Sequence, residues 1–133
     1  MNRHELREKA MVTVYDYLLA ERDIQELIET VFKCKEDEVD PYFVDVIYDA
    51  IENKEKYAQY INEVLKNWKF DRLGYIEQAI LLNGCAEFSL KEISAAIIID
   101  ESVELAKKYC DEDAYKLVNR VLDIIWVKGA SFL

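Results

Sequence analysis

Residues that interrupt helices are almost absent from this sequence. Only three Gly and one Pro occur among 133 residues, while strong helix formers such as Leu, Ala, Glu and Lys are frequent. Apolar residues recur three or four positions apart instead of alternating. That spacing places them on one side of an α-helix. The sequence therefore predicts an all-α fold.

Seven segments carry such an apolar stripe. Asp40-Pro41 marks the start of the third, because an acidic cap precedes a proline at the first helical position. Gly84 in the fifth would let a neighbouring helix approach closely. Short connections between seven helices predict a compact fold of two packed helical subbundles. No repeat, low-complexity tract or flexible linker divides the chain, so residues 1–133 are expected to form one domain.

Local signals refine the expected helix boundaries. Trp68 continues the apolar spacing of the fourth segment, and Asp71 is placed to cap the fifth helix. Ser89-Leu-Lys-Glu92 fits a capping box ahead of the sixth helix. On that helix, Glu104 and Lys108 are expected to pair at i, i+4 on the solvent side.

Composition argues against a disulfide scaffold, a metalloprotein and a membrane protein. Cys34, Cys85 and Cys110 are odd in number and far apart, and the sequence has a single His, so neither a disulfide framework nor a zinc site is expected. No segment reaches the ~18 consecutive apolar residues of a membrane span, and the N-terminus lacks the apolar stretch of a signal peptide. The sequence predicts a cytoplasmic protein without a cofactor or a membrane contact.

Catalysis has few candidate residues. The acidic clusters Asp100-Glu101 with Glu104 and Asp111 to Asp113 contain the residue types of acid–base or metal sites. Adjacent acids on a helix do not converge on one point, however, so a solvated face or a helix cap is the simpler interpretation. His4 lies near a chain end, where an enclosing shell is rare. The sequence predicts a protein that is not an enzyme.

The net charge of −10 disfavours general binding to a polyanion, so any contact with nucleic acid must be local. Arg3 and Arg7 lie four apart on the first predicted helix, next to His4, and would share a face that suits successive phosphates. Glu5 and Glu8 interrupt this cluster. The alternative to phosphate binding is that these residues form a solvated first helical turn.

Several blocks of sequence follow one another between residues 68 and 125. They are Trp68-x3-Arg72-Leu73, Ile76-Glu77-x-Ala79-Ile80-Leu81, the run 99–109 and the run 116–123, with Arg7-x2-Ala10 and Val14-Tyr15 in the first half. Together they resemble the NusB family of transcription antitermination factors over nearly the whole chain.

The resemblance implies a fold and a function. NusB proteins have two three-helix subdomains with an extra helix, which agrees with the seven apolar stripes. They are adaptors that pair with NusE, a ribosomal protein of the small subunit, and bind boxA-type RNA with it. In the RNA polymerase antitermination complex they promote read-through of terminators, notably in ribosomal RNA operons. The resemblance leaves a homodimer open.

Functional positions of the family also fall on residues of this sequence. The RNA-binding surface implied by the resemblance comprises Arg3, His4, Arg7, Asp113, Lys116 and Asn119. The implied contacts with the protein partner are Tyr15 and Glu77. A helix cap remains the alternative for Asp113, a structural hydrogen bond for Asn119 and a core position for Tyr15.

The sequence departs from the family where RNA is expected. Leu117 replaces an aromatic residue and removes a base-stacking platform worth ~1–3 kcal/mol. Arg120 stands where a glycine is usual and adds a positive charge. The acidic net charge and Leu117 together motivate an alternative function, a protein-interaction module with the NusB fold that has lost RNA binding.

Overall fold

A computed structural model describes residues 1–129 of the chain. Its seven α-helices confirm the predicted all-α fold, and the described residues contain no β-strand. Two short 3-10 helices, Glu36–Glu38 and Phe70–Arg72, lie in the connections. The α-helices are α1 (Arg3–Leu19), α2 (Ile24–Phe32), α3 (Pro41–Glu52), α4 (Lys54–Val64), α5 (Tyr75–Leu90), α6 (Ala95–Tyr109) and α7 (Glu112–Val127).

Helix α5 lies at the centre of the molecule. Every residue from Gln78 to Phe88 is buried, which is expected of a helix that is enclosed on all sides. On one side α5 packs against α1 and α3, with α2 beside α1; on the other it packs against α6 and α7, with α4 beside α7. Helices α1 to α7 contribute to a single hydrophobic core. Both groups of helices therefore depend on α5.

Gly84 allows α5 and α7 to approach closely, as the sequence predicts. A Cβ atom at this position would lie 2.8 Å from Cδ2 of Leu122 on α7. Leu122 is fully buried. The side chain of Leu122 therefore packs directly on the backbone of α5.

The segment between α4 and α5 differs from the prediction. The chain leaves the helix at Leu65, whose backbone is extended, so helical spacing no longer decides which way Trp68 faces. Trp68 is 53% exposed and is not a core residue. Asp71 belongs to a 3-10 helix, and the N-cap of α5 is Gly74. The predicted aspartate cap is therefore wrong.

Two predicted side-chain interactions near α6 are also wrong. Ser89 lies in the last turn of α5, so no capping box precedes α6, whose N-cap is Ser94. Lys108 pairs with Glu8 of α1 instead of Glu104, with its Nζ 2.8 Å from Oε2 of Glu8. Nζ of Lys107 lies 3.6 Å from Glu104.

Among residues 1–129, no helix combines the length and the apolar character that crossing a bilayer demands.

Helix α5 ends at a lysine with a left-handed backbone. Lys91 has a φ of 58°, a conformation that costs a residue with a Cβ about 1–2 kcal/mol and that glycine adopts freely. Replacing Lys91 by Gly is expected to stabilise the fold by about 0.5–1 kcal/mol, after subtraction of glycine's entropy in the unfolded chain. Urea unfolding monitored by circular dichroism measures the change in the free energy of unfolding. In Lys35→Gly, where φ is −73°, no gain is expected; equal gains in both variants would contradict the explanation.

Candidate nucleic-acid and partner interface

Arg7 forms a buried ion pair between α1 and α5. Nε and Nη2 of Arg7 donate to the two carboxylate oxygens of Glu87 at 2.9 and 2.8 Å, and the Tyr42 hydroxyl donates to Oε1 of Glu87 at 2.7 Å. Arg7 is 4% exposed and Glu87 is 1% exposed. Burial and the hydrogen bond to Glu87 raise the pKa of Tyr42 well above its ordinary range. The group joins α1, α3 and α5.

The predicted RNA contact of Arg7 would therefore require this ion pair to break. Arg3 and Arg7 do share one helix face, but the Arg7 end of that face packs against α3 and α5 instead of meeting solvent. The guanidinium of Arg7 lies 5.3 Å from the centre of the Phe43 ring. The spacing of the two arginines could not reveal this, since the partner carboxylate is 80 positions away in the sequence.

Arg3 and His4 are exposed at the start of α1. The guanidinium of Arg3 lies 5.3 Å from the centre of the Tyr42 ring, which holds it beside the first turn of α3. Arg3 has no ion pair among residues 1–129. Nδ1 of His4 lies 2.8 Å from Oε2 of Glu101 on α6. Arg3 thus keeps its donors available for a ligand, whereas His4 already has an acidic neighbour.

A second cluster of charged residues fastens α1 to α6. Nζ of Lys108 lies 2.8 and 2.9 Å from the two carboxylate oxygens of Glu8, and the Tyr109 hydroxyl donates to the same carboxylate. The hydrogen bonds from Lys108 and Tyr109 lower the pKa of Glu8. The glutamate that interrupts the basic cluster in the sequence is thus neutralised by a lysine of another helix.

The predicted residues of α7 all lie on its exposed side. Asp111, not Asp113, caps the helix, because its Oδ1 accepts from the backbone N–H of Ala114 at 2.9 Å. Asp113 and Asn119 are exposed, and within the described part of the chain the Asn119 amide makes no hydrogen bond. Nζ of Lys116 lies 2.8 Å from Oε1 of Glu112. Asp113 and Asn119 are therefore free of the structural roles that were the alternatives for them.

Glu77 and Asp113 line one surface groove of about 270 Å³. Trp68, Arg72 and Leu117 are further lining residues. Glu77 is half-buried, and burial together with the negative charge of Asp111 raises the pKa of its carboxyl group. The family resemblance implied a contact with a protein partner for Glu77 and a contact with RNA for Asp113. The structure brings both residues to one surface.

Trp68 and Arg72 were not among the predicted site residues. The apolar spacing placed Trp68 on the buried side of the fourth helix, and Arg72 was named only among the residues that carry the family resemblance. The one available signal was local: an aromatic residue stands among three cations in Lys66-Asn-Trp-Lys-Phe-Asp-Arg72.

Tyr15 lies near the end of α1 and is partly buried against the core. Leu18 and Gln78 line a common groove, so the end of α1 lies beside the start of α5, where Glu77 is found. The structure therefore places Tyr15 and Glu77 at the same end of two adjacent helices.

The described residues contain no group of three or more His, Cys, Asp or Glu side chains that could hold a metal ion. Cys85 is buried, Cys34 and Cys110 are half-buried, and all three are free thiols.

Comparison with known proteins identifies the family of this chain. A transcription antitermination protein NusB of an Exiguobacterium species is 40% identical over 123 residues, which cover 92% of this chain and 94% of that protein. A chain in the crystal structure of the antitermination factors NusB and NusE in complex with double-stranded RNA is 31% identical, with a TM-score of 0.82 and coverage of 96% of this chain and 98% of that one. The solution structure of Aquifex aeolicus NusB is also 31% identical, with a TM-score of 0.78 and coverage of 97% and 90%. The model of the NusB family matches residues 4–126, and the chain belongs to this family.

Proposed function

We propose that this protein is a non-catalytic antitermination adaptor in the cytoplasm that binds boxA-type RNA together with NusE. In this function it promotes read-through by RNA polymerase, notably in ribosomal RNA operons. The observation that carries the proposal is the similarity, over 96% of the chain, to a protein chain solved with NusB, NusE and double-stranded RNA.

The proposed RNA surface runs from the start of α1 to the start of α7. Arg3 and His4 form one end, and Asp113, Lys116 and Asn119 form the other. Helix α6 connects the two ends of this surface. Its residue Glu101 contacts His4, and Tyr109 at its other end comes just before α7. These two α6 residues are separated by roughly 12 Å along the helix axis. One RNA strand is long enough to contact both ends.

Local ion pairs reduce the affinity for RNA that we expect of this surface. His4 and Lys116 each lie beside a glutamate, Glu101 and Glu112, which offset their attraction for phosphate. Arg7 is buried against Glu87. Arg3 is thus the predicted cation that is best placed to bind phosphate. Since few counterions would be released, we expect weak RNA binding by the chain alone and stronger binding when NusE adds its own surface.

The groove that contains Glu77 is the proposed site for NusE. Burial and the negative charge of Asp111 raise the pKa of the Glu77 carboxyl group, and a donor or a cation on the partner would stabilise its charged form. Tyr15 adds a partly exposed aromatic ring near the same end of the bundle, of the kind that is enriched at protein interfaces.

Binding of a boxA RNA with and without NusE, measured by fluorescence anisotropy at two salt concentrations, tests the proposed function. We expect measurable binding with NusE, and weakening as the salt concentration rises. Absence of RNA binding under all four conditions would contradict the proposal and favour a protein-interaction module.

Replacing Arg3 by Glu tests the RNA surface itself. We expect about 10-fold weaker binding of boxA RNA by the complex with NusE, because a phosphate contact becomes a repulsion. Arg22→Glu is the matched control, since Arg22 is exposed in the turn between α1 and α2 and has the same change in charge. Equal losses in both variants would show that net charge, and not a contact of Arg3, governs the affinity.

A further inference from the structure

The loop between α4 and α5 concentrates cations around an exposed aromatic ring. Lys66, Trp68, Lys69 and Arg72 border a groove of about 480 Å³, here called the loop groove. Its other lining residues are Asn62, Leu65 and Asn67, so no acidic side chain lines it. In a chain with a net charge of −10, this groove is lined by three cations and no acidic residue.

The cations of the loop groove are not paired with carboxylates. Within residues 1–129, Lys66, Lys69 and Arg72 have no carboxylate within 4.0 Å, as is also true of Arg3, whereas Lys116 lies beside Glu112. Their charge is therefore not offset by a local ion pair and is available to an anionic ligand.

The loop groove is held in place by buried residues on both sides. The backbone N–H of Phe70 donates to Oδ1 of Asn62 at 2.7 Å, which ties the loop to α4. Leu65, Phe70 and Leu73 are buried, at 7%, 3% and 9% exposure. The loop backbone is therefore fixed, which reduces the entropy lost when a ligand binds.

Trp68 supplies a flat apolar surface of which about half is exposed. It is 53% exposed, and no aromatic ring or cation of the described residues packs on it. Bases of single-stranded nucleic acids stack on such rings, while cations beside the ring hold the backbone phosphates. Lys66, Lys69 and Arg72 surround Trp68 in this manner.

We propose that the loop groove is a second RNA-binding site, in which a base of an unpaired RNA segment stacks on Trp68 while Lys66, Lys69 and Arg72 bind its phosphates. This inference rests on the proposed function and extends its RNA surface. Trp68 and Arg72 also line the groove of Glu77 and Asp113, so the loop groove adjoins the proposed NusE site at the start of α7. RNA accounts for both features, because its phosphates bind the cations while a base stacks on the exposed indole.

The spectroscopic test uses the full chain with Trp126 replaced by Phe, so that Trp68 is the remaining tryptophan. A short single-stranded boxA RNA is titrated at low salt while tryptophan fluorescence is recorded. We expect saturable quenching, because a stacked base shields and quenches the indole. Trp68→Ala should weaken binding about 10-fold, and Trp68→Phe should weaken it less, since a ring remains.

The charge test replaces Lys66, Lys69 and Arg72 by Glu together. Loss of three phosphate contacts should make the negative slope of log affinity against log salt concentration shallower by about 2. The matched control replaces Arg22, Lys33 and Lys35 by Glu, three exposed cations elsewhere, with the same change in net charge. Circular dichroism and the thermal midpoint verify that each variant is folded.

The outcomes separate this inference from the proposed function. If Arg3→Glu weakens RNA binding while the fluorescence of Trp68, the affinity of Trp68→Ala and the salt slope of the charge variant are unchanged, the loop-groove proposal is wrong and the RNA-binding function stands. Loss of NusE binding with intact RNA binding would make the loop a protein contact and also overturn the proposal. If the unaltered chain binds no RNA with or without NusE, both proposals fail.

Discussion

Replacing Arg7 by Ala is expected to lower the free energy of unfolding by about 3–5 kcal/mol, because Glu87 would remain charged in the core without its partner. The bidentate contact at 2.8 and 2.9 Å and the 1% exposure of Glu87 motivate this value. Tyr42 would still donate one hydrogen bond to Glu87 but would not neutralise its charge. Urea unfolding monitored by circular dichroism measures the loss, and a loss below about 1 kcal/mol would show that Glu87 is solvated.

A double variant distinguishes the ion pair from the individual charges. Replacing Arg7 by Met and Glu87 by Leu removes both charges and keeps side chains of similar length, so most of the stability lost in Arg7→Ala should return. The same variant is a clean test of the predicted RNA contact. If the folded double variant binds boxA RNA with unchanged affinity, Arg7 is structural only, whereas a selective loss of RNA affinity would show that its guanidinium contacts RNA.

The helical fold could be predicted because it depends on local properties. Scarce Gly and Pro and a regular apolar spacing identify seven helices without knowledge of how they pack. The Asp40-Pro41 start and the close contact at Gly84 were also predicted correctly. Predictions failed where the chain leaves a helix. Trp68 has helical spacing from Leu65, but the extended backbone at Leu65 turns it to solvent.

The candidate site was less predictable, since its geometry depends on contacts between distant residues. Arg7 and Glu8 both interact with residues that lie 80 or more positions later in the chain, and these contacts decide which charges reach solvent. No pattern in α1 contains that information. Likewise, the common groove of Glu77 and Asp113 results from the packing of α5 beside α7.

Replacing Asn83 by Leu is expected to raise the free energy of unfolding by about 1–3 kcal/mol, because a buried amide without hydrogen bonds carries a desolvation cost. Asn83 is 5% exposed in the middle of α5, and among residues 1–129 neither Nδ2 nor Oδ1 has a hydrogen-bond partner. Leu has the same branching at Cγ and is a better helix former. The urea midpoint of unfolding measures the gain.

Asn62→Leu is the matched control for this substitution, with the opposite expected sign. Oδ1 of Asn62 accepts from the backbone N–H of Phe70, so its loss should destabilise the protein by about 1 kcal/mol. Opposite shifts of the two midpoints would show that hydrogen bonding, and not a general benefit of added apolar volume, explains the effect at Asn83. A lower midpoint in Asn83→Leu would contradict the prediction and show that the site is too small for the added methyl groups.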